Sequence, residues 1–378
     1  MQNTFSVLIL DEDSELGLFA AHSMVRFPNV KVHILSREQW SPLRLSCYRQ
    51  SYTFSPVSYD DHMVLEVIEN VVKKQGIDVL LPVDIQGIRF VIANREALSS
   101  FVAIAPVPES DSFKMVNNKW RLAQFLEEKH IPGPPTILIS DCDSFGEQLQ
   151  SLEFPVLIKP ILLTSDGEGI KKFDSLPDLK HFLEHQQPEY LQRQFIIQSF
   201  LPGYTLGVNI LSHSGELLAI TMQHWLIPDE REFAPAAAVK FIKDDRFLAT
   251  AQRLVSALNW SGYANLDTVC DNQNNLRVVD FNSRFWGSLL GSYEAGVSFP
   301  YLACLVALNI SFPMPDYDPI KYFHIKTTLR EMWLGFSGKR QEYDISFRES
   351  GLRFLLADPL AESMRIYKKN LFGKFKNA

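Results

Sequence analysis

The chain has 378 residues, of which 46% are hydrophobic and 21% charged, and a formal net charge of -7. That length predicts two or three domains with an ample core, and the negative balance argues against a surface that holds nucleic acid through its phosphates. The four cysteines, Cys47, Cys142, Cys270 and Cys304, make no C-x-x-C pair, so neither a zinc site nor a disulfide framework is signalled. The N-terminus runs straight into a strand-like stretch at Val7 with no basic leader, and no apolar run reaches about 18 residues. A cytoplasmic protein with no membrane span is expected.

Residues 1–110 alternate apolar runs with helical patterns: Val7 to Leu10, a helix from about Ser14 to Arg26, Val32 to Leu35, a helix from about Asp61 to Lys74, then Asp78 to Pro82. That alternation writes a parallel sheet with crossover helices. The first strand leads into Asp11, Glu12, Asp13 and Glu15, where a dinucleotide-binding turn would need glycines and would avoid anions, so NAD binding is rejected. Trp40, Arg44 and Arg49 follow and could reach a substrate pocket, although surface or core roles are favoured for them.

Lys119 then opens a helical pattern that stops before Ile131-Pro132-Gly133-Pro134-Pro135. Phe154 to Pro160 reads as a short buried strand ending in Lys159. The segment Ser165-Asp166-Gly167-Glu168-Gly169 behind it suggests a loop whose glycines let backbone amides approach a phosphate. Asp166 and Glu168 would oppose an anion there, and Lys171 and Lys172 could offset them. His181 and His185 lie one turn apart but lack the H-E-x-x-H order, which makes them an exposed helix face. Phe195 to Gly203 leads into two strands around a Ser214-Gly215 turn, then an Ala/Pro-rich interruption from Asp229 to Val239 and a helix from about Arg246 to Ala257. His224, Arg231 and Lys240 are weak candidates there for a substrate carboxylate.

Tyr263 to Ser288 carries the strongest pattern. Two apolar runs, Ala264 to Cys270 and Leu276 to Phe281, flank an Asp/Asn-rich turn, as in an antiparallel hairpin. Alternation places Asp280, Asn282 and Arg284 on one face and Val279 and Phe281 on the other. Asp267 lies within cross-strand reach of Asp280. Two carboxylates, an amide and a guanidinium converging in this way suit a divalent cation such as Mg²⁺ with phosphate or carboxylate oxygens; the alternative is a solvated outer face. Beyond it, Gly291 to Asn309 reads as one apolar helix under the site. Pro313, Pro315 and Pro319 mark a linker, and the tail carries Arg365, Lys368, Lys369, Lys374 and Lys376 among aromatics, a pattern open to membrane-surface contact but more in keeping with a solvated or packed tail.

The run Asp280-Phe-Asn-Ser-Arg-Phe-Trp-Gly-Ser288 resembles the E-I-N-P-R-F-x-G-S signature of the ATP-grasp superfamily, with Asp280 for Glu and Ser283 for Pro. The other matches follow in the family's order: Lys119 with its helix and the His130 to Thr136 turn, the Lys159 strand with its glycine loop, and the Phe195 to Gly203 hinge. The resemblance implies an α/β protein, α+β in the nucleotide domain: a Rossmann-like domain at 1–110 and an ATP-grasp domain at 111–310. The latter divides into subdomains at about 111–198 and 199–310, with ATP between two mainly antiparallel sheets, and 311–378 is left as a C-terminal segment without an assigned role. It further implies ATP held by Lys119, Lys159, Gly167, Gly169, Gln198, Ser199, Phe200, Leu201 and Thr205, the last standing where a ribose-binding Glu is common. Asp267, Asp280 and Asn282 would hold two Mg²⁺ ions, with Mn²⁺ as a substitute, and Arg284 would face the transferred phosphoryl group. The implied activity is a carboxylate-amine ligase working through an acyl phosphate on small-molecule acid and amine substrates, with a homodimer as one assembly open to it. A nucleotide binder without turnover and a ligase with a non-amine acceptor are the alternatives.

Overall fold

The structure, a computed structural model, describes residues 4–139, 152–162, 169–185, 194–228, 235–337 and 343–375. The first unit is a parallel sheet in the order β3-β2-β1-β4-β5, built from β1 (Phe5–Asp11), β2 (Val30–Ser36), β3 (Arg49–Phe54), β4 (Val79–Pro82) and β5 (Ala103–Ile104). Every residue of β1 is buried, as expected for a central parallel strand covered on both faces. The helix Ser14–Ser23 starts where the Asp13 carboxylate accepts from the Glu15 and Leu16 amides. Behind β1, the amides of Glu12 and Asp13 donate to Asp84, both at 3.2 Å, so the turn that would cradle a phosphate already holds a carboxylate of the protein.

The second unit is a four-stranded antiparallel sheet, β6-β9-β7-β8, from β6 (Thr136–Ile139), β7 (Val156–Pro160), β8 (Lys171–Phe173) and β9 (Phe195–Ser199). It packs its own cluster of apolar side chains, including Val156, Ile158, Leu179, Phe195 and Ile197. The third is a six-stranded antiparallel sheet, β14-β13-β10-β11-β12-β15. Its strands are β10 (Gly203–His213), β11 (Glu216–Ile227), β12 (Ala238–Ile242), β13 (Gly262–Asp271), β14 (Leu276–Asn282) and β15 (Lys321–Phe323). The β10–β11 turn uses Ser214 and Gly215, both left-handed (φ 50° and 77°), which matches the twist of a two-residue hairpin. One continuous core joins this sheet to the first unit. The chain is thus α/β, with a Rossmann-like parallel sheet followed by two antiparallel sheets.

One expectation is corrected, and two readings left open are decided. The Gly291 to Asn309 stretch is two helices, Leu289–Ala295 and Phe299–Ala307, bent by 86°. Gly296 at φ 118° ends the first, a backbone state that L side chains rarely adopt. No single helix among the described residues is long and apolar enough to cross a membrane. The described part of the basic tail is packed: on the helix Pro359–Phe375, Arg365 bonds Glu15 and Glu362, Lys369 bonds Glu15 and Lys368 bonds Glu38, at 2.5 to 2.8 Å, while the side chains of Lys374 and Lys376 lie outside the described residues. Trp40, Arg44 and Arg49 do not line the central cavity: Arg44 stacks on exposed Trp40, and Arg49 donates to the Arg44 carbonyl.

Candidate functional site

The sheet register assembles the site. Asp280 on β14 lies opposite Asp267 on β13, Asp267 opposite Gly207 on β10, and Gly207 opposite Gln223 on β11. One step along, Asn282, Asn265, Asn209 and Thr221 form a parallel row. Paired residues of an antiparallel sheet project to the same side, so both rows face one way. There Asp280, Asp267, Gln223, Asn282 and Asn265 line a cavity of about 680 Å³ between the two antiparallel sheets.

The alternation expected along β14 fails at one point. Thr268 pairs with Val278 while Asp267 pairs with Asp280, which leaves Val279 as an extra residue. Such a bulge restarts the alternation. Val279 therefore lines the cavity beside Asp280, and the buried face is held by Val278 and Phe281.

Two lysines enter from the other elements. Lys119, at the start of the helix Lys119–Glu128 and 6% exposed, places Nζ 2.5 Å from Asp280 Oδ2. Lys159 at the end of β7 is 4% exposed, and its Nζ donates to Gln198 Oε1 at 2.7 Å. Gln198 Nε2 in turn donates to Thr136 Oγ1. Burial, reinforced by Lys119 and only partly offset by Asp280 and Asp267, pushes the Lys159 ammonium down to about 8. Asp267 is pushed up to about 6 by burial and by the charge of Asp280, against a hydrogen bond from Asn282 Nδ2 at 3.0 Å. Burial also acts to raise Asp280, but Lys119 and Lys159 outweigh it and hold that carboxyl below its ordinary range.

Asn282 is oriented by a chain of amides. Its Nδ2 donates to Asp267 and to Asn265 Oδ1, Asn265 Nδ2 donates to Asn209 Oδ1 at 2.9 Å, and Asn209 Nδ2 donates to Thr221 Oγ1 at 3.1 Å. Each amide is thereby fixed in one sense. Arg284 lines the cavity just past β14, with one nitrogen on the Phe285 carbonyl at 2.8 Å, and it acts electrostatically on both Asp267 and Asp13 of the first unit.

Of the residues singled out from sequence, Lys119, Lys159, Gln198, Ser199, Phe200, Leu201, Thr205, Asp267, Asp280, Asn282 and Arg284 all line this cavity. Gly169, at φ 82°, packs on Pro160 next to lining residue Ile170. Gly167, Asp166, Glu168 and Arg231 lie outside the described residues. His224 and Lys240 pair across β11 and β12 without lining the cavity. Sequence reasoning missed Gln223, Trp225, Asn265 and Trp286, which do line it. Gln223 and Asn265 could have been flagged as amides inside otherwise apolar strands.

Comparison with known proteins identifies the domain and the fold that carry this cavity. Residues 116–288 match the family model of the ATP-grasp domain. The carbamoyl phosphate synthase large chain of Thermomicrobium roseum is 25% identical over 235 residues, 60% of this chain, and that match spans only 21% of the relative's length. Among solved structures, N5-carboxyaminoimidazole synthetase from Staphylococcus aureus complexed with ADP superimposes with a TM-score of 0.68 at 14% identity, covering 89% of this chain and 87% of that one. The L-amino acid ligase from Bacillus licheniformis gives 0.61 at 15% identity, covering 85% and 80%. These likenesses to solved structures establish the shared fold.

Proposed function

We propose, on the premise that residues 116–288 are an ATP-grasp domain, that this protein is an ATP- and Mg²⁺-dependent ligase joining a small carboxylic acid to an amine through an acyl phosphate. The observation that carries the reading is the convergence of Lys119, Lys159, Asp267, Asp280, Asn282 and Arg284 on one cavity between two sheets. ATP would lie there with its adenine along the backbone from Gln198 to Leu201, its ribose by Thr205 and its phosphates between the two lysines. The first unit, to about residue 110, would complete the co-substrate side, where Asp13 already feels Arg284.

The donor set fits a divalent cation. Two carboxylates and one amide share a wall, and Lys119 currently supplies the positive charge that Asp280 requires. Mg²⁺ favours few carboxylates and keeps positions for phosphate and water. Asp267, Asp280 and Asn282 would hold it, and when bound it neutralises charge on the phosphoryl oxygens. A carboxylate oxygen of the substrate forms the bond to the γ-phosphorus as the bridging bond to ADP breaks. The amine nitrogen then bonds to the acyl carbon, phosphate departs with the bonding pair, and the amine loses a proton. Lys119, Lys159 and Arg284 stabilise the charge that is displaced, while the walls exclude water from the activated acyl group.

The test is ADP release over a panel of acids with hydroxylamine as trap. An acyl hydroxamate that needs ATP, Mg²⁺ and Arg284 supports the ligase. Tight Mg·ATP binding with neither ADP nor hydroxamate would instead favour a nucleotide binder without turnover, and ADP release without hydroxamate would point to a non-amine acceptor.

A further inference from the structure

Gly207 sits between Asp267 and Gln223 in the row of the sheet that faces the cavity. A Cβ at that position would stand 2.9 Å from Gln223 Nε2 and 3.0 Å from its Cγ. The Gln223 side chain therefore lies flat across Gly207, along the row that ends in the two carboxylates. Its orientation is fixed, because Oε1 accepts from Ser288 Oγ at 2.8 Å and from Asn209 Nδ2 at 3.5 Å. Nε2 is left as a donor without a partner among the described residues, on a side chain that is 5% exposed and lines the cavity.

An amide held by its acceptor end and opening on a cavity at the other presents a fixed donor to whatever the cavity binds. Next to it the chemistry changes. Trp225 and Val239, paired across β11 and β12 one alternation step from Gln223, line the cavity together with Ala236 and Trp286. Beyond Lys119 and Lys159, Arg284 is the one lysine or arginine among the described lining residues. The described part of this wall, with one guanidinium beside tryptophan and valine, suits one carboxylate carrying an apolar body.

The geometry points to a specific substrate class, resting on the ligase reading above: a monocarboxylic acid whose carboxylate is received between Arg284 and Gln223 Nε2, and whose apolar or aromatic body packs on Trp225, Val239 and Trp286. Gln223 is then a substrate-binding residue of the acid site, and Gly207 is the position that lets it reach.

The experiment compares ATP-dependent hydroxamate formation by the full chain with phenylalanine, leucine and phenylacetate against glutamate, citrate, 3-phosphoglycerate and bicarbonate. Apolar acids are expected to exceed the others by about tenfold in kcat/KM. Gln223→Leu is expected to raise the KM for the apolar acid about tenfold while leaving the Kd for Mg·ATP within about twofold. Gly207→Ala should reproduce that effect by displacing Gln223 without removing a polar group. Preference for a charged, phosphorylated or inorganic acid would overturn this substrate class and leave the ligase reading standing. Mg·ATP binding without ADP from any acid would overturn both. An unchanged acid KM in both variants would remove Gln223 from the site.

Discussion

Lys159→Met is expected to stabilise the nucleotide-free protein while weakening its hold on ATP. Lys159 is 4% exposed and, among the described residues, has one hydrogen bond, to Gln198 Oε1. Keeping a charged ammonium there at pH 7 opposes a pKa that has fallen from 10.5 to about 8, which corresponds to about 3 kcal/mol. The variant removes that term but leaves Gln198 Oε1 without its donor, at a cost of about 1–2 kcal/mol, so a net gain of about 1–2 kcal/mol is expected at pH 7. The pH dependence is the sharper signature. Because the folded value lies below the unfolded one, the penalty is full below about pH 8 and is gone once pH rises past 10.5. Wild type should therefore gain about 3 kcal/mol relative to the variant across that window, measured by urea unfolding at pH 7, 9 and 10.5. Calorimetry with ATP and AMP supplies the functional half, with ATP losing more affinity than AMP. A stability difference that does not change with pH would refute the reasoning.

The Asp280→Ala variant is expected to lose Mg²⁺-dependent turnover and, since it strands Lys119 at 6% exposure, to lose about 3–5 kcal/mol of stability. The double variant Lys119→Met/Asp280→Ala should recover most of that loss in urea, and purely additive losses would deny the coupling. Asp267, pushed up to about 6 by burial and Asp280, should protonate as pH falls through that value. Mg·ATP affinity should weaken below it, a dependence that a titration from pH 5 to 8 would find flat in Asp267→Asn. With Arg284→Ala, hydroxamate formation should drop by about 100-fold or more while ATP affinity changes little; comparable losses in both would place the guanidinium on the nucleotide. The Asp358→Asn change weakens acceptance from Ser46 Oγ, the Cys47 amide and His22. Stability should fall by about 1–3 kcal/mol, with faster hydrogen exchange at Ser46 to Tyr48, and unchanged exchange there would mean the C-terminal helix docks without it.

Much of the site was legible because its signals are local. The Asp/Asn-rich turn between two apolar runs predicts the hairpin that sets Asp267 against Asp280, and a lysine at a helix start or a strand end is visible from its neighbours. What escaped depends on register between distant strands. Nothing near Val279 signals a bulge, since the extra residue is defined only by what β13 places opposite it. The reach of Gln223 depends on a glycine 16 positions earlier in sequence and on Ser288, 65 positions later. Asp280 was expected to project freely toward a metal; its 2.5 Å contact with Lys119 spans 161 positions. The break at Gly296, by contrast, was readable, as a glycine inside an apolar helical pattern is a stop signal.

The four-stranded sheet keeps its apolar cluster to itself, while the parallel sheet, the six-stranded sheet and the C-terminal helices share the other. The shared body is stitched further by Glu294, wholly buried and bonded by Arg26 of the first unit and Arg353 of the C-terminal segment. Mechanically this is a stiff chassis carrying one separate plate. At the junction stands Gly203, at φ 156°, where even a methyl group would fall 2.1 Å from the Cys270 carbonyl oxygen, so the chain enters β10 clamped against β13. A swing of the plate breaks no common core, and the work of opening falls on its edge: the backbone hydrogen bond from Lys119 N–H to the Ile161 carbonyl at 2.8 Å and the wetting of the Lys159 pocket. The two lysines proposed to meet a triphosphate thereby stand where the plate would lift from the body.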